Sequence, residues 1–186
     1  MEICFVTSNE NKLREFEEIL GFNLKQIELD LDEIQAVEVE KVVEHKTKQA
    51  FERIKKPVIT EDTGLYFEAW NGLPGALIKW FDKTIGYANL CELLGKNRKA
   101  KAQTIVGYFD GKNYRSFIGE ISGKIASRPK GNAGFGWDII FIPDGYKKTF
   151  AEMRPEEKNK ISMRKIALEK FKEFLRRQFL KKKGGG

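Results

Sequence analysis

The chain has 186 residues and a formal net charge of +7; 41% of its residues are hydrophobic, 12% aromatic and 33% charged. That composition suits one ordinary globular domain with ample core and excludes a disordered chain. No apolar run approaches the ~20 residues of a bilayer span, and no basic patch leads into a long apolar core, so neither a membrane protein nor a signal peptide is expected and a cytoplasmic location follows.

The elements alternate from the start. Ile3–Val6 is an apolar run that reads as a buried strand. It breaks into Thr7, Ser8 and Asn9, and Leu13, Phe16, Ile19 and Leu20 then carry helical periodicity over Asn11–Leu20. A strand, tight turn and helix N-terminus direct free N–H groups and a positive dipole end at one point, which Lys12 and the hydroxyls surround. The spot suits a phosphate-bearing ligand. Alternatively, Thr7, Ser8 and Asn9 act only as caps. The P-loop glycines are absent.

Leu24–Leu29 reads as a second strand. Val39–Ile54 reads as a helix with Val39, Val42, Val43, Ala50, Phe51 and Ile54 on one face, and Pro57–Thr60 as a third strand. This order predicts parallel pairing in an α/β layer. Leu65–Trp70 is strand-like, residues 71–75 form a loop, and Asp82–Leu94 reads as a helix closed by Gly95. Ala102–Phe109 and Tyr114–Gly119 form a hairpin across Asp110-Gly111, and Glu120–Ala126 and Trp137–Ile142 continue as strands. The second half is therefore richer in antiparallel β. Ser162 to about Leu180 closes the chain as a helix with Met163, Ile166, Ala167, Phe171, Phe174 and Leu175 as its apolar stripe. No repeat or linker is visible, so residues 1–186 are expected to form a single domain in two lobes, with 181–186 expected as a flexible tail.

Cys4 and Cys91 have no C-x-x-C partner, which argues against a zinc site or disulfide framework; Cys4 is expected to pack as a small hydrophobe. The single His45, between Glu44 and Lys46, is expected on the solvated surface, and no His-based triad can be built. The net charge invites a nucleic-acid-binding reading. However, Lys172, Arg176, Arg177, Lys181, Lys182 and Lys183 cluster near the end, and the other cations interleave with 27 acidic residues.

Several groups could carry chemistry. Glu61 and Asp62 follow the third strand, where adjacent carboxylates can act as magnesium ligand and general base, or simply cap a turn with Gly64. Asp30, Asp32 and Glu33 form an acidic cluster after the second strand. Glycines flank Phe135 in the segment 131–138, so its ring can stack on a nucleobase, or else be buried with Trp137 in a turn. Lys79 is a lone cation in an apolar run, and Arg164 sits unfavourably at a helix start, which suggests that it faces an anion or a base carbonyl.

Taken together, these segments resemble the inosine triphosphate pyrophosphatase family. Thr7-Ser8-Asn9-Glu10-Asn11-Lys12 is similar to its T-x-N-x-x-K opening, Glu61-Asp62-Thr63-Gly64 to E-D-[ST]-G and Gly72-Leu73-Pro74-Gly75 to G-x-P-G. Phe135-Gly136-Trp137-Asp138 is similar to F-G-[WY]-D, Thr149–Met153 to T-[FY]-A-E-M and Glu157-Lys158-Asn159 to E-K-N. The resemblance spans nearly the whole chain in order. It implies an elongated α/β fold, a mixed sheet flanked by helices in two lobes with a central cleft, usually as a homodimer. It also implies magnesium-dependent cleavage of ITP, dITP and XTP to monophosphate and pyrophosphate.

Carried over, Asp62 (as base) and Lys12 are catalytic, and Glu33 and Asp62 hold the metal. The substrate-binding set is Thr7, Ser8, Asn9, Glu10, Asn11, Lys12, Thr63, Lys79, Phe135, Gly136, Trp137, Asp138, Lys158, Met163 and Arg164. Thr7, Asn9, Lys12 and Lys79 would hold the triphosphate, Phe135 would stack on the purine, and Trp137, Asp138, Lys158 and Arg164 would line the base and ribose pocket. One departure is visible: Ser162-Met163-Arg164 stands where the family reads Ser-His-Arg, so an imidazole contact to the base is lost. Alternatives are a pyrophosphatase for other modified nucleotides, or a nucleic-acid-binding module.

Overall fold

The computed structural model describes residues 3–183. Strand β1 (Cys4–Val6) is buried throughout and pairs in parallel with β2 (Lys25–Ile27) on one side and β3 (Val58–Phe67) on the other. Helix α1 (Glu10–Leu20) and helix α2 (Val39–Ile54) supply the crossovers, as the strand–helix alternation predicts. Asn9 caps α1: its Oδ1 accepts the Lys12 N–H at 3.1 Å. The β1–α1 turn is thereby fixed by a bond within four residues.

Strand β3 differs from the expectation. It does not stop at Thr60 but continues through Glu61-Asp62-Thr63-Gly64, because β5 (Lys99–Phe109) pairs antiparallel with it from Val58↔Phe109 to Phe67↔Ala100. Glu61 and Asp62 therefore sit within a strand rather than beyond its end. Glu68–Trp70 forms a 3₁₀ turn, and β4 (Pro74–Gly75) folds back onto β3. Helix α3 (Ile78–Leu93) starts earlier than expected and is broken at Gly86, whose φ of 75° and ψ of 155° split it into two helical pieces.

The second half pairs antiparallel, as the sequence predicts, but with different element bounds. β5 turns at Asp110, whose Oδ1 accepts the N–H groups of Lys112 and Asn113, into β6 (Tyr114–Ile125), one continuous strand where two were expected. The expected Trp137–Ile142 strand is only β7 (Phe141–Pro143). Residues Gly136–Ile139 form a 3₁₀ turn, closed by the Phe135 N–H donating to Asp138 Oδ2 at 2.8 Å. Helix α4 (Pro155–Ile161), opened by Pro155, was not anticipated; α5 (Met163–Lys183) follows it. The expected 181–186 tail thus overlaps the end of α5, and residues 184–186 lie outside the described residues.

The sheet order is β2-β1-β3-β5-β6-β7, with β4 on β3. Phe5, Phe16, Leu20, Val106, Phe117, Ala167 and Phe171 pack α1 and α5 onto one face, and Phe5 and Phe16 stack at 4.2 Å. Val39, Val43 and Ile105 pack α2 onto the other face. A further cluster, including Leu65, Phe67, Leu90, Phe141 and Phe150, ties α3 to the far end of the sheet. Cys4 and Cys91 are both buried and unbridged. His45 is half-buried rather than solvated, and its Nε2 lacks a hydrogen-bond partner. No helix among the described residues is long and apolar enough to cross a membrane.

Candidate active site

One cleft of about 540 Å³ takes in most of the candidate residues. Thr7, Ser8, Asn9 and Lys12 reach it from the β1–α1 turn, and Glu33 from the segment after β2. Asp62 and Thr63 come from β3, and Lys79 from the first turn of α3. Phe135, Gly136, Trp137 and Asp138 reach it from the 3₁₀ turn, and Met163 and Arg164 from the start of α5. Glu10 and Asn11 do not line it: Glu10 is exposed, and Asn11 Oδ1 accepts from Arg14. Lys158 lies behind the wall, 3% exposed, with its Nζ 4.7 Å from the Phe135 ring centre. Of the acidic cluster, Glu33 turns inward, whereas Asp32 pairs with Gln49.

Cations and carboxylates alternate through the site. Lys79 Nζ lies 3.2 Å from Glu33, Glu33 lies 3.2 Å from Lys46, and Lys46 lies 3.2 Å from Asp62. Lys12 Nζ stands 3.7 Å from Asp62 and 2.9 Å from Glu61. Glu61 accepts from Arg164 at 2.9 Å, and the other arm of Arg164 bonds Glu15. Glu15 and Asp138 then share Lys158, at 2.8 Å and 2.7 Å. An unbroken ion-pair chain thus runs from Asp138, beside the aromatic turn, to Lys79.

Lys46 and Glu15 were missed in the sequence. Lys46 enters the sequence reading only as a neighbour of His45. The signal was its position three and four residues after Val43 and Val42, on the buried face of α2. Glu15 adjoins Phe16 on the buried side of α1. Asp82 and Tyr87 also line the cleft, brought there on either side of the Gly86 break.

The charges set protonation. Burial would raise the Asp62 carboxyl, but the Lys12 and Lys46 ammonium groups and the Thr63 N–H hold it below its ordinary value, so it is ionised. Glu33 is held down in the same way, with burial opposing and Lys46 prevailing. Lys46, despite burial, is raised by Asp62 and Glu33 and stays charged. Burial also opposes ionisation of Glu15, but Arg164 and Lys158 keep its carboxyl low. Asp138 goes the other way: burial raises it, and Lys158 offsets this only in part. The Tyr87 hydroxyl is pushed well above its usual range by burial and by Asp82 and Asp138, so it remains a donor.

The arrangement offers three ammonium groups and two ionised carboxylates, Asp62 and Glu33, at one part of the cleft, and a half-buried aromatic ring with buried cations at another. Phe135 also has the Arg164 guanidinium 5.3 Å from its ring centre. Met163 is 1% exposed, so its thioether packs into the wall of the cleft.

The model of the Ham1 family matches residues 3–174. The chain is 43% identical over 181 residues to the dITP/XTP pyrophosphatase of Thermococcus kodakarensis, covering 95% of this chain and 98% of that protein. It is also 43% identical over 186 residues to the inosine triphosphate pyrophosphatase of Kluyveromyces lactis, covering 94% of this chain and 95% of that protein. Among solved structures, a HAM1 protein from Coxiella burnetii superposes with a TM-score of 0.83 at 27% identity, over 95% of this chain and 99% of that one.

Proposed function

The chain belongs to the Ham1 family, and from that premise we propose that it hydrolyses purine nucleoside triphosphates with non-standard bases, ITP, dITP and XTP, to the monophosphate and pyrophosphate. The observation that carries this reading is that one cleft combines the Lys12, Lys46, Lys79 and Asp62 group with the Phe135–Arg164 wall. A polyphosphate needs neutralising cations and an oriented water, and a purine needs a ring to stack on and donors at its edge.

The residues divide the work accordingly. The three lysines take the phosphate charge. Asp62 is kept ionised by Lys12 and Lys46 before substrate arrives. Once phosphate oxygens draw those ammonium groups, the carboxylate loses compensation and its proton affinity rises. It then accepts a proton from water as the water oxygen bonds the α-phosphorus. The α–β bridging bond breaks, and pyrophosphate leaves with the electron pair. Phe135 stacks on the base, and Arg164 favours a 6-keto acceptor over the 6-amino group of adenine.

Magnesium fits this donor set. Glu33 and Asp62 face the same part of the cleft, each with an oxygen 3.2 Å from Lys46 Nζ, and hard oxygen donors suit a hard cation. Among the described residues no group of three or more His, Cys, Asp or Glu could hold a metal. Glu33 and Asp62 would therefore share the ion with substrate phosphates, as magnesium sites commonly do. Bound there, the ion would supply charge neutralisation on phosphate oxygens. A homodimer in the cytoplasm belongs to the same proposal. The test is pyrophosphate release from ITP, dITP and XTP against ATP and GTP; selective release is expected, and equal or absent turnover of all five rejects the reading.

A further inference from the structure

Glu61 touches both halves of the site with a single carboxylate. Its Oε1 accepts from Arg164 Nη2 at 2.9 Å, its Oε2 forms an ion pair with Lys12 Nζ at 2.9 Å but no hydrogen bond, and its backbone carbonyl accepts from the same ammonium at 3.3 Å. The Glu61 side chain is fully buried and that of Arg164 is 1% exposed, so water does not compete within their pair, and Arg164 meets the cleft only where it forms part of the wall. Arg164 is otherwise committed to Glu15, and its buried Nε has no hydrogen-bond partner. A ligand atom that engages this arginine therefore acts on a cation whose two terminal nitrogens already each bond a carboxylate. On the other side, Lys12 stands between Glu61 and Asp62.

Taking the nucleotide reading as premise, we infer that Glu61 is a positioning residue: it carries occupancy of the base pocket to Lys12, so that base recognition is expressed in turnover as well as in binding. The physical ground is sharing. In a water-poor interior, hydrogen bonds in a connected chain polarise one another, and fixing one partner of a shared carboxylate fixes the other. A base carbonyl on Arg164 leaves the guanidinium, and then Glu61, with one arrangement. Lys12 is then held ready for phosphate at less ordering cost. The 6-amino edge of adenine gives Arg164 no acceptor there and no such ordering.

The experiment supplies the substrate in two pieces. Inorganic tripolyphosphate has the phosphates without the base; its hydrolysis consumes one water, breaks one P–O–P link and gives orthophosphate and pyrophosphate. Inosine has the base without the phosphates. With magnesium, the wild-type protein is expected to cleave tripolyphosphate at least about fivefold faster when inosine is added, and no faster when adenosine is added. Glu61→Gln is expected to bring the inosine ratio close to one, whatever its basal rate. A purely structural role for Glu61 would leave that ratio unchanged. Equal turnover with and without inosine, activation by both nucleosides alike, or no turnover in either condition overturns the coupling, as does Glu61→Gln with the wild-type ratio. If that variant does not fold, the wild-type ratio decides alone. ITP turnover by the same preparation tests the underlying reading separately: active ITP hydrolysis without inosine activation removes the coupling and leaves the function standing.

Discussion

Lys46 Nζ lies 3.2 Å from Asp62 Oδ2, and the same ammonium lies 3.2 Å from Glu33. Two carboxylates therefore converge on one cationic point, and each is held below its ordinary pKa chiefly against the cost of burial. Asp62→Asn keeps the shape and removes the base, so ITP turnover is expected to fall by about 10²–10⁴-fold while the circular dichroism spectrum is unchanged. Turnover within about threefold of wild type would remove Asp62 from the chemistry. Chelation of divalent ions is expected to stop turnover, and added magnesium to restore it.

Lys46→Met tests the residue that the sequence hid. Loss of one charge-assisted contact to phosphate is expected to lower kcat/KM for ITP by roughly 10–100-fold. An unchanged value would make Lys46 a purely structural partner of Asp62 and Glu33.

What was legible in the sequence was local. The β1–α1 junction is fixed by Asn9 and Lys12 within one turn, and the amphipathic α2 boundaries at Val39 and Ile54 follow from periodicity alone. The illegible parts depend on distant partners. β3 runs through Glu61–Gly64 because β5, some forty residues onward in the pairing Asp62↔Ile105, covers it. Glu15 looks like one more surface glutamate until Arg164, 149 residues away, closes on it. The short ordered motifs from Thr7 to Arg164 did place most of the cleft. Side-chain types could not show that Lys158 lies behind the ring of Phe135 instead of beside the ligand space.

Glu15 ties stability to pH. Its folded pKa lies below the ordinary 4.5, so the ion pairs it makes contribute fully above about pH 4.5 and are lost as pH falls through the lower folded value. Glu15→Gln leaves Arg164 and Lys158 short of a buried partner and is expected to cost about 3–5 kcal/mol at neutral pH. That gap is expected to narrow as pH drops below 4.5. Asp138 carries the opposite sign: its raised pKa makes its own contribution fall as pH rises above the ordinary 3.8. Urea unfolding of wild type and Glu15→Gln at several pH values checks this; a gap that stays constant contradicts it.

Gly119 on β6 lies directly against the first turns of α5. A Cβ there would stand 1.8 Å from the Met163 carbonyl oxygen and 2.6 Å from the Ala167 nitrogen. Gly119→Ala is expected to displace the start of α5, which carries Met163 and Arg164, and to cost about 1–3 kcal/mol with a loss of ITP selectivity. A thermal unfolding midpoint and an ITP/ATP ratio equal to wild type would show that the contact is soft.

Phe135→Ala removes the stacking ring but none of the lysines. The expected result is an increase in KM for ITP of roughly 10–100-fold, in line with ~1–3 kcal/mol per stacked base, with tripolyphosphate cleavage in the absence of nucleoside little affected. Equal losses with both compounds would place the ring in the phosphate chemistry instead.

Hydrolysis of ITP in ¹⁸O-labelled water tests most directly whether Asp62 and the lysines aim water at the α-phosphorus. The label is expected in inosine monophosphate, with pyrophosphate unlabelled. Label in pyrophosphate, or release of labelled orthophosphate, would contradict that placement of the attacking water.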